Sequence, residues 1–139
     1  MPGNSITCEP LDMNDTQGDK AVVSYLQSLG ATIKRDDSAM RISVESGGLI
    51  GRDIDLNATP DAVPMMAALG CFCDGNLRLS NVKHARIKET DRIAVMAMEL
   101  AKFGVDVKTF DDGLEVRGRG GEPLNGAVEI GRASCRERV

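Results

Sequence analysis

Residues 26–33 read Leu-Gln-Ser-Leu-Gly-Ala-Thr-Ile, and residues 100–107 read Leu-Ala-Lys-Phe-Gly-Val-Asp-Val. Both stretches set a leucine ahead of a glycine (Leu26 and Gly30, Leu100 and Gly104) and a β-branched residue after it, Ile33 and Val107. A pair of aspartates follows in each, Asp36-Asp37 and Asp111-Asp112, and then alternating apolar positions, Ile42 and Val44 against Leu114 and Val116. The period is about 74 residues, longer than the roughly 20–50 residues of solenoid repeats. Each copy reads as a helix stopped by glycine, which adopts the left-handed conformation of a helix end at little cost, and then a two-stranded extension. The pattern predicts a repeated α/β module with mixed sheets.

The rest of the chain fits around these copies. Residues 20–30 place Val22, Val23, Leu26 and Leu29 on one helical face. Residues 31–34 and 40–44 flank the turn Asp36-Asp37-Ser38, with Met40, Ile42 and Val44 alternating as a half-buried strand does. Gly47-Gly48 breaks the chain before an extended stretch over 49–56. Pro60 then opens a helix at its favoured first position with Thr59 as the expected cap. Val63, Met65, Met66, Leu69 and Phe72 leave that helix no polar face, so it is expected in the interior. Asp74-Gly75 turns the chain into a strand over 76–82, and a second amphipathic helix is expected over 86–103, with Ile93, Met96, Ala97, Leu100 and Phe103 inward.

Composition bounds the function. An apolar content of 42% with 27% charged residues in 139 residues places the chain among ordinary globular domains. No apolar run reaches membrane-spanning length and the N-terminus lacks a signal pattern, so no membrane association and a cytoplasmic location are expected. Cys8, Cys71, Cys73 and Cys135 show no paired metal spacing and read as reduced thiols. A net charge of −4 with 3% aromatics argues against nucleic acid, which calls for a basic surface and stacking platforms. The basic character is local: Lys83, His84, Arg86, Lys88 and Arg92 gather within ten residues, opposed by Glu89 and Asp91.

Read as the start of the second helix, that cluster is misplaced. A helix N-terminus disfavours cations by roughly 0.3–1 kcal/mol each, and Lys88 and Arg92, four apart, would repel on one face by a further ~0.2–0.5 kcal/mol. The economical explanation is an anionic ligand, since a helix start with a cation fork is suited to phosphate or carboxylate.

Two ordered motifs sharpen this. Asp55-Leu-Asn57-Ala-Thr-Pro60-Asp61-Ala62, then Arg86-Ile-Lys88-Glu89-Thr90-Asp91-Arg92-Ile93 with Glu99-Leu100 and Gly104 beyond, strongly resemble the 5-enolpyruvylshikimate-3-phosphate synthase family. The resemblance runs from the turn at Gln17-Gly18-Asp19 to Val128. It implies inside-out units with buried helices and mixed sheets outside. This chain would be a partial enolpyruvyl transferase domain, residues 1–129, with about two units at 15–56 and 57–128, from the domain that holds both termini. Residues 130–139 resemble a common sequencing-library adapter translated in frame. Without that tail, which holds Arg132, Arg136, Arg138 and Glu137, the charge falls from −4 to −6.

The reaction implied is transfer of the enolpyruvyl group of phosphoenolpyruvate to the 5-hydroxyl of shikimate 3-phosphate, with no metal or organic cofactor. By the same resemblance Asp61 is the hydroxyl-binding carboxylate, Lys88 relays a proton at that hydroxyl, Glu89 exchanges one with the methylene carbon, and Arg92 holds the phosphoenolpyruvate anion. His84 stands where relatives have a substrate-binding asparagine, the alternative being a hydrogen-bonded structural histidine. Arg86 holds either substrate or protein, and Asp91 is expected to cap rather than react. Segments that the family carries elsewhere are expected outside this chain, so the chain alone is expected to have no turnover, and the complete protein to be a monomer. Two alternatives stand: the transferase acting on UDP-N-acetylglucosamine, marked by a reactive cysteine loop, and a non-enzymatic anion-binding α/β module.

Overall fold

The structure, a computed structural model, describes residues 5–9, 20–36, 38, 41–45 and 48–126. The expected turn at residues 17–19, residues Asp37 and Met40, the Gly47 break and the tail at 130–139 lie outside these described residues. The elements are β1 (Ser5–Cys8), α1 (Ala21–Ser28), β2 (Thr32–Asp36), β3 (Arg41–Glu45), β4 (Asp53–Asp55), α2 (Val63–Gly70), β5 (Asn76–Ser80), α3 (Arg92–Lys102), β6 (Val107–Phe110) and β7 (Gly113–Arg117).

They form two sheets, ordered β1-β3-β2 and β4-β5-β7-β6. The first is antiparallel throughout, with Ser5 opposite Glu45 and Thr32 opposite the same residue on the other side. The second is mixed: β4 runs parallel to β5, while β7 is antiparallel to both β5 and β6. Strand, helix and hairpin recur in the same pairing order, β1-α1-β2-β3 and β5-α3-β6-β7. This is the repeat seen in sequence, lengthened at its front by a strand. β1 is too short to announce itself, and sequence analysis assigns it nothing. β4, inside the first of the units expected from sequence, is hydrogen-bonded into the second sheet. The parallel step from β4 to β5 requires a crossover, and α2 supplies it.

Both repeat helices end as their glycines predict: Gly30 has φ +103 and Gly104 φ +75, where a side chain would be strained. The N–H groups of Gly30 and Gly104 close onto the carbonyls of Gln27 and Ala101. A different glycine sets the sheet spacing. A Cβ on Gly113, at the mouth of the β6–β7 hairpin, would fall 1.9 Å from the carbonyl oxygen of Leu79, so only glycine lets β7 approach β5 there.

The core lies between the second sheet and the helices over it. Leu77 and Leu79 of β5, Leu114 and Val116 of β7, Val63, Met66 and Ala67 of α2, and Ile93 and Leu100 of α3 are buried together, joined by Leu29 and Leu56. Cys71 and Cys73 are buried in the same core. Burial pushes the Cys71 thiol up, and the Cys73 thiol to about 11. Two local expectations are corrected. The α2 helix is not interior all round, since Met65 is about half exposed, and it ends at Gly70, before the equally exposed Phe72. Thr59 does not cap with its side chain: the chain enters through a 3-10 turn, Pro60–Ala62, and the Thr59 hydroxyl instead pairs with Tyr25 at 2.8 Å.

Leu77 fills the layer between α2 and the sheet, so Leu77→Ala should destabilise the fold by about 2–5 kcal/mol, the usual cost of emptying a buried leucine site. Urea unfolding followed by circular dichroism checks this; a loss below about 1 kcal/mol would mean that the layer collapses around the gap.

Candidate active site

Because β4 and β5 run parallel, their C-terminal ends lie at the same edge of the sheet. Side chains tie the two ends together. Ser80 Oγ donates to Asp53 Oδ1 at 2.6 Å, and Asn81 Nδ2 to Asp55 Oδ2 at 3.0 Å. The Asn57 N–H closes the Asp55 turn at 2.8 Å, and Asn81 itself takes φ +58, a conformation asparagine tolerates better than most residues. Asp61 follows β4 and the cationic segment follows β5, so both emerge on this edge.

The second amphipathic helix starts later than its apolar pattern suggests. Lys83–Ile87 form a 3-10 turn, Lys88 is extended (φ −78, ψ −169), and α3 begins at Arg92. Asp91 is the reason. Its backbone is extended and its Oδ1 accepts the Ala94 N–H at 3.0 Å, the N-cap role expected of it. Only Arg92 therefore stands at the helix start. Arg86 and Lys88 precede it, and the helix-dipole and like-charge penalties read from sequence do not apply to them.

Four of the expected residues converge across the chain. Arg92 Nη1 donates to Asp61 Oδ1, and Lys88 Nζ lies 3.6 Å from the same oxygen. A second Arg92 nitrogen, Nη2, reaches Glu89 Oε2 at 3.4 Å. The Arg92 hydrogen bond, helped by the charge of Lys88, holds the Asp61 carboxyl below the usual carboxylate range. Glu89 is also held low, first by its own backbone N–H and then by the charges of Arg92 and Lys88. Both carboxylates are well exposed, at 60% and 69% of their side-chain surface, so solvent screens these pairs and they add little to stability. The cluster is an open wall rather than an enclosed pocket. A separate groove of about 450 Å³ shares none of its residues: it is lined by Asp74, Asp106, Arg117, Arg119 and Glu122 among others, with charges of both signs.

The remaining expected residues divide. His84 is half-buried on the 3-10 turn, and among the described residues no hydrogen bond or ion pair joins it to the cluster. Arg86 is held by protein: its Nη1 donates to Asp91 Oδ2 at 2.8 Å, Nη2 to the Phe110 carbonyl at 2.6 Å and Nε to the Asp111 carbonyl at 3.1 Å. Sequence reasoning missed the supports behind the loop. Asp112 accepts Arg78 at 2.7 Å and the Asn81 N–H at 3.0 Å, while Arg78 also stacks 3.9 Å over the Phe110 ring. The Asp-Asp pair was visible only as a repeat marker; its partners lie some thirty residues away in sequence. No group of three His, Cys, Asp or Glu side chains among the described residues is placed to hold a metal ion.

The family model for EPSP synthase (3-phosphoshikimate 1-carboxyvinyltransferase) matches residues 1–130. The chain belongs to the EPSP synthase family. A 3-phosphoshikimate 1-carboxyvinyltransferase of Acetivibrio thermocellus is 49% identical over 117 residues, which cover 84% of this chain and 27% of the relative. One of Ruminiclostridium cellulolyticum is 52% identical over 107 residues, 77% of this chain and 25% of the relative. The chain thus spans about a quarter of the length of these curated relatives. An EPSP synthase structure from Acinetobacter baumannii superposes with a TM-score of 0.72 at 26% identity, over 87% of this chain and 30% of that one. The enolpyruvyl transferase NikO from Streptomyces tendae, at 16% identity and TM-score 0.64, shares the fold over 88% of this chain and 28% of its own. The inside-out α/β architecture expected from sequence is that of the EPSP synthase family. Buried Cys71 and Cys73, their thiols raised by desolvation, do not form the reactive cysteine loop that the UDP-sugar alternative calls for.

The depressed Asp61 carboxyl gives a signed pH dependence. Its pairing is complete above the ordinary carboxylate value near 3.9 and is lost as pH falls through the lower value of the folded state. Arg92→Ala should move the Asp61 titration upward, read from the side-chain carboxyl carbon by NMR. An unmoved midpoint would mean that Arg92 is not the cause.

Proposed function

We propose that this chain forms one wall of the active cleft of a 3-phosphoshikimate 1-carboxyvinyltransferase, supplying about two units of one domain. The complete enzyme transfers the enolpyruvyl group of phosphoenolpyruvate to the 5-hydroxyl of shikimate 3-phosphate in the cytoplasm, on the route to chorismate and the aromatic amino acids. The observation that carries this reading is the meeting of Asp61, Lys88 and Arg92 at one carboxylate oxygen, in a chain of this family.

Attack of the hydroxyl oxygen on the central carbon of phosphoenolpyruvate needs a group to take the hydroxyl proton and another to deliver a proton to the methylene carbon. Asp61 with Lys88 serves the first and Glu89 the second. The tetrahedral adduct then loses phosphate and a proton from the new methyl group, regenerating the enol ether. Arg92 touches both carboxylates; it is the main cause that keeps Asp61 weakly basic, and for Glu89 it adds to the hydrogen bond from that residue's own backbone N–H. An anion that takes Arg92 removes the main stabilisation of the Asp61 carboxylate and part of that of Glu89, so Asp61 above all gains proton affinity as the substrate arrives. By the family resemblance, His84 on the 3-10 turn before this loop is the residue assigned to shikimate 3-phosphate, the alternative being a structural histidine. The second reading, a non-enzymatic anion-binding module, is favoured by no observation here.

The test places residues 48–126 in the Acetivibrio thermocellus relative in place of its own matching segment. The graft should convert both substrates, and Lys88→Ala in it should lower kcat/KM by about 100-fold or more, the range of a lost acid–base group. Unchanged turnover in that variant would remove the central assignment.

A further inference from the structure

Between Arg86 and Asp91 the chain carries Lys88 and Glu89, and the ion pair of those two outer residues at 2.8 Å closes the loop at its base. Each end of the staple is anchored again. Asp91 uses its second oxygen to cap α3 through the Ala94 N–H. Arg86 uses two further donors on the Phe110 and Asp111 carbonyls at the tip of the β6–β7 hairpin. Three donors of the planar guanidinium are thereby committed to protein, in a fork that lysine does not reproduce. The hairpin tip is itself fixed to β5, through Asp112 on Arg78 and the Asn81 N–H, and through the Val82 N–H on the Asp112 carbonyl at 2.7 Å. Between the 3-10 turn that ends at Ile87 and α3, which begins at Arg92, residues 88–91 belong to no strand or helix that would set the reach of Lys88 and Glu89.

Resting on the functional reading above, we infer that Arg86 is a positioning residue rather than a substrate ligand: with Asp91 it staples the 86–91 loop to the β6–β7 tip and so sets where Lys88 and Glu89 stand opposite Asp61. A substrate ligand and a positioning residue respond with opposite sign to one substitution. Asp91→Asn deletes a negative charge beside Arg86 and weakens the staple, yet asparagine caps helices as well as aspartate does. If Arg86 bound the anion directly, this change would free it and tighten binding. If Arg86 positions the loop, binding weakens even though the site becomes more positive.

The experiment is an NMR titration of the 139-residue chain with phosphoenolpyruvate, read on the Lys88 and Arg92 signals, alongside amide exchange over residues 87–90. Asp91→Asn is expected to weaken binding by about tenfold, within what a small misplacement of binding groups costs, and to speed exchange in the loop. Arg86→Lys should do the same, and serves alone if the Asp91 variant does not fold. Lys83→Ala, which removes only an exposed pair with Asp111, should change neither. Tighter or unchanged binding in both staple variants, with Lys88→Ala still weakening it, overturns the positioning role alone. No weakening in Lys88→Ala overturns the functional reading and this inference with it.

Discussion

The parallel pairing of β4 with β5 is the constraint from which the candidate site follows. Antiparallel strands would send Asp61 and the Lys88 segment to opposite ends of the sheet; parallel strands deliver both to one edge. The pairing is secured on one side by the buried Leu77 and Leu79 of β5. At the edge it is secured by polar links from Ser80 and Asn81 to Asp53 and Asp55. α2 makes the crossover possible, and its apolar face is the price of returning the chain to the same sheet in the same direction.

Charge at this edge is balanced by placement. Arg86 faces Asp91, and Arg92 and Lys88 face Asp61. These pairs are too exposed to account for the fold, which the core explains without them. What they do is hold opposite charges within reach of one another on an open surface. Glu89, reached by the second Nη of Arg92, completes this set of paired charges.

Much of the architecture was legible in sequence because it is periodic. The glycine-stopped helices, the alternating hairpin strands and the apolar α2 follow from local pattern, and the left-handed Gly30 and Gly104 confirm the reading of their helix ends. The order of motifs around Asp61 and Lys88 gave the family. The start of α3 was misread because apolar spacing fixes a helix's face and not its first residue, and the Asp91 cap decides that. With α3 beginning at Arg92, Arg86 and Lys88 escape the helix-dipole penalty, while Lys88 and Arg92 still converge on Asp61. The roles of Arg86, Asp111 and Asp112 were out of reach, since they depend on a hairpin tip meeting a loop far away in the chain. β1 was missed because four residues carry too little pattern.

The most direct measurement is a crystal structure of the chain soaked with phosphoenolpyruvate. The account predicts the anion lodged between Lys88 and Arg92, with the Arg92 guanidinium drawn away from Asp61. Density for the anion in the groove at Arg117 and Arg119, with the Arg92–Asp61 pair intact, would contradict it.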